Sequence, residues 1–473
     1  MAHDVIVVGA GPNGLAAAVE LARNGLSVLV LEANRTIGGA ARTEELTLPG
    51  FRHDVGSAVY PMGAGSPFFS TLPLAEHGLE WIHPDVPLAH PLDDGRAILL
   101  RRSVEDTAWW LGADGPAYER LMQPFVRRWA TLAEHILDTP LRIPRDPLLM
   151  ARFGLRAIQS AAGLASTFET DEAEALIGGN AAHSGVPLDR APSAAIALVL
   201  MIAAHAVGWP VAKGGAGSIT RALASLLESL GGTIETASPV SSLDELPPAR
   251  AVLLAITSRQ VARVAASRLP AGHRRALATW TYGPGAFKLD WALDGPIPWR
   301  SEACGMAGTV HLGGTFPELR DAEAAPGSGR LAERPFVLLA QPSLFDPTRA
   351  PEGKHTAWAY CHVPNAWQGD ATAAIEAQVE RFAPGFGERI LARRAHTPSE
   401  LEAWDANLVG GDVNGGAFTL FQTVGPARWK LRPWDTPLRN LYVCSASTPP
   451  GGGVHGMCGY HAARAALERT FGM

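Results

Sequence analysis

The chain has 473 residues, a length that can bury a large apolar core without disulfides or a structural metal. Its formal net charge of −6 argues against a nucleic-acid-binding protein, whose surface would be strongly basic. The 50 glycines and 37 prolines fall in irregular clusters, which excludes collagen-like and simple low-complexity chains.

The cysteine pattern and the apolar runs indicate where the protein resides. No two of the four cysteines are spaced as C-x-x-C, so neither a zinc ribbon nor a dithiol redox motif is indicated. The N-terminal residues MAHDVIVVGAG lack the basic and apolar regions of a signal peptide. The longest apolar run, residues 194–209, is shorter than a membrane span and predicts a buried helix. We therefore expect reduced thiols and a cytoplasmic protein.

A strand–turn–helix–strand unit stands at the start of the chain. Residues 4–8 (DVIVV) predict a buried strand, LAAAVELARNG predicts a helix, and SVLVLE predicts a second strand that ends at Glu32. The turn before the helix carries a G-x-G-x-x-G motif, and its candidate cofactor-binding residues are Gly9, Gly11, Pro12, Asn13 and Gly14.

Each part of this unit has a physical role in dinucleotide binding. Gly9 permits the tight turn, Gly11 lets the backbone approach a pyrophosphate, and Gly14 lets the helix pack closely on the strand. The helix N-terminus presents free N–H groups and the positive end of its dipole to the phosphates. Glu32 can accept hydrogen bonds from a ribose. Because strand, helix and acid stand in the required order, we predict a dinucleotide site.

The residues after Glu32 indicate which dinucleotide is bound. The sequence GGAART (38–43) resembles the second flavin signature of the FAD-dependent amine oxidase and phytoene desaturase superfamily. The arginine often follows the glycine pair directly in that superfamily, whereas here it comes two residues later, as in one branch. The resemblance implies FAD as the cofactor, with contacts from Ala33, Gly38, Gly39, Ala40 and Arg42.

Two further blocks resemble the same superfamily. WPVAKGGAGS (209–218) is similar to the segment that returns the chain to the flavin domain, which implies that Val240 lies against the adenine. The strand, glycine-rich loop and helix within 440–471 are similar to the last flavin motif, whose loop faces the isoalloxazine. The contacts implied there are Ser445, Gly453, Val454, His455 and Met457. Segments 341–364 and 408–418 resemble the phytoene desaturase-like branch in particular.

The resemblance implies an α/β fold in which a Rossmann-like FAD-binding domain is interleaved with an α+β substrate domain. We expect the FAD-binding domain at 1–80, 207–290 and 430–473, and the substrate-binding domain at 81–206 and 291–429. A second G-x-G-x-x-G after a strand is absent from the sequence, which argues against reductases that carry a separate NAD(P)H module.

His455 and Lys288 are the candidate catalytic residues. His455 stands in the loop expected to face the flavin, where it could act as an acid–base group or hydrogen-bond donor; alternatively it satisfies a backbone carbonyl. Lys288 could act near the flavin, as amine oxidase lysines do, or form an ion pair with Asp290. Lys213 presents the same choice. Cys458 could form a thioether to the flavin or simply be a small buried residue. The sequence shows no metal-ligand spacing.

Two patterns suggest the partners. Tryptophans, among them Trp109, Trp110, Trp209 and Trp358, could line a channel for a small apolar substrate or pack in the core. Residues 142–156 place four arginines on an apolar background, which suits either peripheral contact with a membrane or a solvated face.

These observations predict an FAD-dependent oxidoreductase. We expect it to remove hydride from a C–H bond of an apolar, isoprenoid or acyl substrate, as a dehydrogenase or desaturase, with oxygen or a quinone as the electron acceptor. The alternatives are a flavin amine oxidase, a redox-neutral polyene isomerase or saturase, and a non-catalytic flavin-bearing interaction protein. The sequence does not indicate an oligomeric state.

Overall fold

The computed structural model describes residues 3–420, 422 and 432–473. The first two residues of the N-terminal segment and the predicted domain boundary at 430 lie outside this part. The described strands are β1 His3–Val8, β2 Val28–Leu31, β3 Thr43–Glu45, β4 Arg52–Asp54, β5 Trp81–Ile82, β6 Val86–Pro91, β7 Ala97–Leu100, β8 Val211–Ala212, β9 Thr233–Glu235, β10 Ala249–Leu254, β11 Gly285–Leu293, β12 Ala307–Leu312, β13 Val337–Ala340, β14 His355–Val363, β15 Ile390–His396 and β16 Leu441–Val443.

Helices connect and cover these strands. Within the same described ranges they are α1 Pro12–Arg23, α2 Pro61–Ala64, α3 Val104–Trp110, α4 Gly115–Val126, α5 Trp129–Ile136, α6 Pro147–Ala157, α7 Ala161–Ala165, α8 Asp171–Ala182, α9 Ser193–Ala206, α10 Gly217–Ser229, α11 Ser258–Val264, α12 Ala271–Ala278, α13 Phe316–Ala324, α14 Thr372–Phe382, α15 Pro398–Trp404 and α16 Met457–Ala466.

A parallel sheet contains the predicted dinucleotide unit. Its described strands run in the order β16-β10-β1-β2-β9. Both faces are covered, as the β-branched, continuously apolar β1 predicts. Helices α1, α10 and α16 share one apolar cluster with the sheet, and α11 belongs to the cluster on the other face. The strands come from three separate parts of the chain, so the sheet is completed only at β16.

A second, mostly antiparallel sheet has the described strand order β15-β11-β14-β13-β12-β6-β7. Strand β12 pairs in parallel with β6, and the other pairs in this sheet are antiparallel. Strand β11 crosses the predicted boundary at 290 and lies wholly in this sheet, between β14 and β15. The predicted α/β fold with two interleaved sheets is confirmed, whereas the residue bounds of the two domains stay a prediction.

The longest apolar run of the sequence forms α9, most of which is buried against the helices α4, α6, α7 and α8. This agrees with the predicted buried helix. Within residues 3–420, 422 and 432–473, the helices are each too short or too polar to span a bilayer.

Candidate functional site

The turn between β1 and α1 brings backbone, rather than side chains, to the carboxyl end of the parallel sheet. Gly9 has φ +103°, a left-handed conformation that favours glycine. A Cβ on Gly14 would lie 2.0 Å from the carbonyl oxygen of Gly9, so helix and turn touch here without side chains. Pro12 begins α1, where its missing N–H costs no hydrogen bond. The structure therefore places the motif as the sequence predicts.

The Gly38–Gly39 pair closes over this turn. Gly38 donates its N–H to the carbonyl of Ala10 at 2.9 Å. A Cβ on Gly39, which has φ +53°, would lie 3.1 Å from the Cα of Gly11, so the two backbones are in direct contact. A side chain on Gly39 would force the two segments apart, and one on Gly38 would clash with Arg42 and the Ala41 carbonyl.

Two polar side chains beside the turn fit the ends of a dinucleotide. Glu32 accepts backbone N–H groups from Ala10 and Asn34, each at 2.8 Å, and its carboxylate keeps lone pairs for further donors. The Oδ1 atom of Asn13 is buried at the start of α1 and lacks a hydrogen-bond partner among the described residues. An unsatisfied buried carbonyl is costly, which is consistent with a cofactor that completes the site. The residues present thus fit FAD.

The remaining predicted contacts outside the C-terminal loop are Arg42, Ala33, Ala40 and Val240. Arg42 donates to the carbonyls of Gly39 and Trp404, at 3.1 Å each, and its guanidinium lies 3.6 Å from the Trp404 ring centroid. Burial lowers the pKa of Arg42. Ala33 is exposed beside Glu32, Ala40 is partly buried, and Val240 packs against the apolar cluster below β1 and β2.

The loop between β16 and α16 supplies the other predicted contacts. Ser445 is buried and follows β16, while Gly453 adopts φ +120° beside the ring of His455. Val454 and Gly63 approach closely, since a Cβ on Gly63 would lie 2.9 Å from the Val454 carbonyl oxygen. The loop is therefore held against α2.

His455 is buried in this loop and has a defined tautomer. Met457, the first residue of α16, donates its backbone N–H to Nδ1 of His455 at 3.0 Å. Nδ1 is therefore the acceptor, and the proton of the neutral ring is on Nε2. Burial lowers the pKa of His455 to about 4, so the ring is neutral at pH 7.

A cavity of about 690 Å³ joins the C-terminal loop to the second sheet. His455 and Lys288 both line it, so the structure brings the two predicted catalytic residues to one space. Most of the other lining side chains are apolar, and helices α6 and α9 form one wall, with contributions from Met150, Phe153, Ile196, Val199 and Leu200. The predicted tryptophans Trp209 and Trp358 also line the cavity.

Lys288 belongs to a buried cluster of charged residues. It forms an ion pair with Asp290, two residues along β11 and on the same face of the strand. Burial lowers the pKa of Lys288 and raises that of Asp290 to about 6. His53 and His396 lie 3.6 Å from the Asp290 carboxylate, on either side of it. The ion pair and the position on the cavity wall coexist, so the two interpretations of Lys288 do not exclude one another.

The structure corrects the expectation for two tryptophans and favours one of the two alternatives for Lys213 and for Cys458. Trp109 and Trp110 are 73% and 54% exposed on α3 and cannot line a channel in this protein. Lys213 forms an ion pair with Glu80 at the surface, 2.8 Å apart, and does not line the cavity. Cys458 is fully buried, and its Sγ points to the carbonyls of Thr448 and Gly451.

The sequence interpretation missed two groups of residues. Asp54 and Arg349 form a fully buried ion pair at 2.8 Å, although they stand far apart in the chain. His183, His311 and His90 form a cluster that reaches the cavity through His183. A buried arginine or histidine carries no local sequence signal, because only the packing of distant strands brings such residues together. The described residues contain no group of three potential ligands arranged to hold a metal.

Comparison with known proteins identifies the family of this chain. The profile of the family "Flavin containing amine oxidoreductase" matches residues 13–467. Pyridine nucleotide-disulfide oxidoreductase domain-containing protein 2 of Mus musculus is 26% identical over 98% of this chain and 92% of its own length. Phytoene desaturase (neurosporene-forming) of Cereibacter sphaeroides is 26% identical over 97% of this chain and 93% of its own.

Solved structures share the fold at low sequence identity. An oxidoreductase from Methanosarcina mazei superimposes with a TM-score of 0.64 at 18% identity, covering 98% of this chain and 99% of that one. Cyclohexylamine oxidase from Brevibacterium oxydans gives 0.62 at 18% identity, with 99% of both chains covered. With the glycine-lined turn, these matches lead to one conclusion: the chain belongs to the flavin-containing amine oxidoreductase family and is an FAD-dependent oxidoreductase.

Proposed function

We propose that the protein removes a hydride from a C–H bond of an apolar isoprenoid or acyl substrate held in the cavity. The cavity itself carries this proposal: about 690 Å³, bordered by the C-terminal loop on one side and by apolar helices on the other. Such a volume suits a small organic ligand that is largely removed from water. When bound, FAD supplies the hydride acceptor and passes the electron pair on to oxygen or a quinone.

Backbone groups would hold the cofactor in this proposal. The N–H groups at the start of α1 face the diphosphate, the Gly38–Gly39 pair allows close approach, and Glu32 accepts from the ribose. Two side chains would act at the cavity. His455 carries its ring proton on Nε2, within reach of the Gly451 and Gly452 carbonyls of its own loop, and would donate it at the cavity wall. Lys288, whose pKa is lowered by burial, holds or moves a proton at Nζ.

The alternative of amine oxidation receives less support from the aromatic residues of the wall. Trp358 and Tyr360 stack at 5.9 Å between centroids with 18° between their planes. For a carbon or nitrogen atom to fit between two rings, the ring centroids must be about 7–8 Å apart, which is twice an ordinary contact distance. This pair is therefore too close to enclose an amine.

Anaerobic mixing tests the reaction class. FAD-loaded protein is mixed with isoprenoid, acyl and amine compounds while the visible flavin band is followed. We expect loss of colour with an isoprenoid or acyl compound and none with amines. Loss of colour with amines alone would contradict the proposal. Conversion only by protein whose flavin was reduced beforehand would identify an isomerase if the flavin stays reduced. It would identify a saturase if the flavin is reoxidised, because saturation of a C=C bond consumes two electrons.

The role of His455 is tested in the same apparatus. His455→Ala should retain FAD and slow flavin reduction at least tenfold, because the hydrogen bond from Nε2 is lost. His77→Ala is a matched control, since His77 bonds to Ser225 away from the cavity. An unchanged rate in His455→Ala would remove this residue from the mechanism.

We further propose that the substrate enters from an anionic membrane surface. Leu148 and Leu155 on α6 are 79% and 71% exposed, and Ile143 just before the helix is 87% exposed. Leu148, Arg152 and Leu155 share the outer face of α6, because residues three and four apart are neighbours on a helix. Ile158 is partly exposed and also lines the cavity, so the cavity lies next to this face. Alternating leucine and arginine suits a helix that lies in a bilayer interface.

Co-sedimentation with vesicles tests this surface. We expect binding to vesicles that contain an anionic phospholipid, weaker binding to neutral vesicles, and loss of binding in Leu148→Ser/Leu155→Ser. Leu391→Ser is the control, because Leu391 is 47% exposed on β15, outside this face. If the double variant binds as well as the unsubstituted protein, the surface is not the contact.

A further inference from the structure

Three histidines form a chain that leads from the cavity wall into the protein. His183 follows α8 and lines the cavity. Its Nε2 lies 2.8 Å from Nε2 of His311, on β12. His90, on the neighbouring strand β6, meets His311 edge-on, with 6.4 Å between ring centroids. His90 and His311 are fully buried. We call these three residues the histidine chain.

Its inner end is fixed by a carbonyl group. His90 places Nε2 2.6 Å from the carbonyl oxygen of Gly314. A carbonyl only accepts hydrogen bonds, so Nε2 of His90 carries the proton. Burial lowers the pKa of His90 to about 4, so the ring is neutral at pH 7 and its Nδ1 is a bare acceptor.

The other two rings are neutral for the same reason. Burial lowers the pKa of His183 to about 3 and that of His311 well below its usual value. Two neutral rings joined through their Nε2 atoms share one proton, which leaves two possible arrangements. The choice between them decides what His183 presents to the cavity.

The two inner Nδ1 atoms make this choice. Nδ1 of His90 and Nδ1 of His311 both border Gly179 on α8: a Cβ there would lie 3.0 Å from the first and 2.8 Å from the second. Neither atom has a hydrogen-bond partner among the described residues. If His311 Nδ1 were also bare, two lone pairs would face the same buried space. If His311 Nδ1 carries the proton instead, its N–H faces the side of the space where the Nδ1 lone pair of His90 lies. Attraction then replaces repulsion between two lone pairs.

The proton shared between the outer rings then belongs to His183 Nε2, and His183 Nδ1 is left with a free lone pair. Within the described residues, nothing hydrogen bonds to this Nδ1. We propose that His183 is the residue that selects the substrate, by accepting a hydrogen bond from a hydroxyl or other neutral O–H or N–H donor on an otherwise apolar molecule. This inference rests on the proposed function, because it takes the cavity as the substrate site.

The rest of the wall supports a neutral donor rather than a cation. Asp138 is the one carboxylate among the described lining residues, and it is already paired with Arg142. A buried ammonium group without its own carboxylate is strongly disfavoured. A hydroxyl loses one hydrogen bond to water on entering and regains it from His183, so it is bound at little cost.

Binding of matched alcohols and ethers tests the proposal without any turnover. FAD-loaded protein is titrated with farnesol and farnesyl methyl ether, and with 1-decanol and decyl methyl ether, while flavin absorbance and tryptophan fluorescence are followed. An ether accepts but does not donate. We expect each alcohol to bind about tenfold more tightly than its ether, equivalent to about 1.4 kcal/mol.

Substitutions test whether His183 causes the preference for alcohols over ethers. His183→Phe should bind both members of each pair equally, whereas His183→Asn, which keeps an acceptor, should retain part of the preference. Met150→Leu, on the α6 wall, should affect alcohol and ether alike. Equal binding by the unsubstituted protein, no binding of any probe, or a preference that survives in His183→Phe would each overturn the proposal.

A spectroscopic measurement serves if His183→Phe fails to fold. Nitrogen-15 shifts of labelled histidines distinguish a protonated Nε2 from a protonated Nδ1. Within the histidine chain we expect only His311 in the Nδ1–H form. The loss of its signal in His311→Gln distinguishes it from His205, whose Nδ1 donates to the Arg102 carbonyl. Assignment of the Nδ1–H form to His183 instead would overturn the proposal. These measurements report ligand binding and histidine protonation, whereas the proposed function is tested by flavin reduction. The role of His183 can therefore be disproved while hydride removal is supported, and hydride removal can be disproved while the role of His183 is supported.

Discussion

Gly14 illustrates how single residues shape the cofactor site. Its Cα lies so near the preceding turn that an added Cβ would be 2.0 Å from the Gly9 carbonyl oxygen and 3.0 Å from the Ala255 side chain. Neither neighbour is the flexible end of a long side chain, so β1, α1 and β10 would have to move. The same close contact is what brings the N–H groups at the start of α1 to the edge of the sheet.

We therefore expect Gly14→Ala to lower the free energy of unfolding by about 3 kcal/mol and to lose most of the bound FAD. The ratio of flavin to protein absorbance and the melting temperature report the two effects. Gly272→Ala on α12 is the control: nothing lies within 4 Å of its Cβ position, so alanine should stabilise the helix slightly. Full FAD content in Gly14→Ala would show that the turn can relax.

At the scale of elements, a buried ion pair joins segments that the sequence separates widely. Asp54 ends β4, and its Oδ1 accepts hydrogen bonds from Thr43 Oγ1 at 2.7 Å and from the Ala216 N–H at 2.8 Å. Its Oδ2 lies 2.8 Å from a guanidinium nitrogen of Arg349, which also donates to the carbonyl of Arg52. The carboxylate thus connects β3, the loop before α10 and the turn after β13.

Arg349→Met is expected to cost about 3–5 kcal/mol of unfolding free energy, because it leaves the Asp54 carboxylate buried without its counter-charge. The measurement is chemical denaturation of the FAD-loaded protein. Arg320→Met is the control: its ion pair with Asp321 is exposed to solvent and should contribute no more than about 1 kcal/mol. Equal denaturation midpoints for the two variants would contradict the larger contribution to stability that we assign to the buried ion pair.

The elements also show which parts of the molecule can be predicted from sequence. The turn at Gly9, the strand that ends at Glu32 and the C-terminal loop are local patterns, and each lies where its pattern indicates. The charged cluster around Asp290 and the histidine chain depend on the register of β11 against β15 and of β12 beside β6. That register is set by packing across the whole sheet, so it cannot be predicted from a local sequence pattern.

At the scale of the whole molecule, the buried histidines are a shared feature. Seven of them have pKa values lowered far by burial: His53 to about 2, His183 to about 3, His90, His205, His396 and His455 to about 4, and His311 well below its usual value. Burial also lowers the pKa of His461. Folding therefore holds these rings neutral at pH values where the unfolded chain, with histidine near pH 6.5, would protonate them.

The protein should consequently lose stability as the pH falls below about 6.5. The unfolded state then binds more protons than the folded state, and each such histidine costs about 2 kcal/mol at pH 5. Asp290 acts in the opposite direction between about pH 6 and 4, since its folded pKa is raised. The folded pKa values of His362, Asp405, Asp412, Asp435 and Glu174 are also raised, and these groups offset part of the loss. We expect the melting temperature of the FAD-loaded protein to fall by about 10 °C or more between pH 7.5 and 5.5. His205→Gln should flatten this dependence, whereas His77→Gln, at the surface, should leave it unchanged. A melting temperature constant across this range would mean that the rings escape to solvent when protonated, and that their burial contributes nothing to the acid sensitivity of the fold.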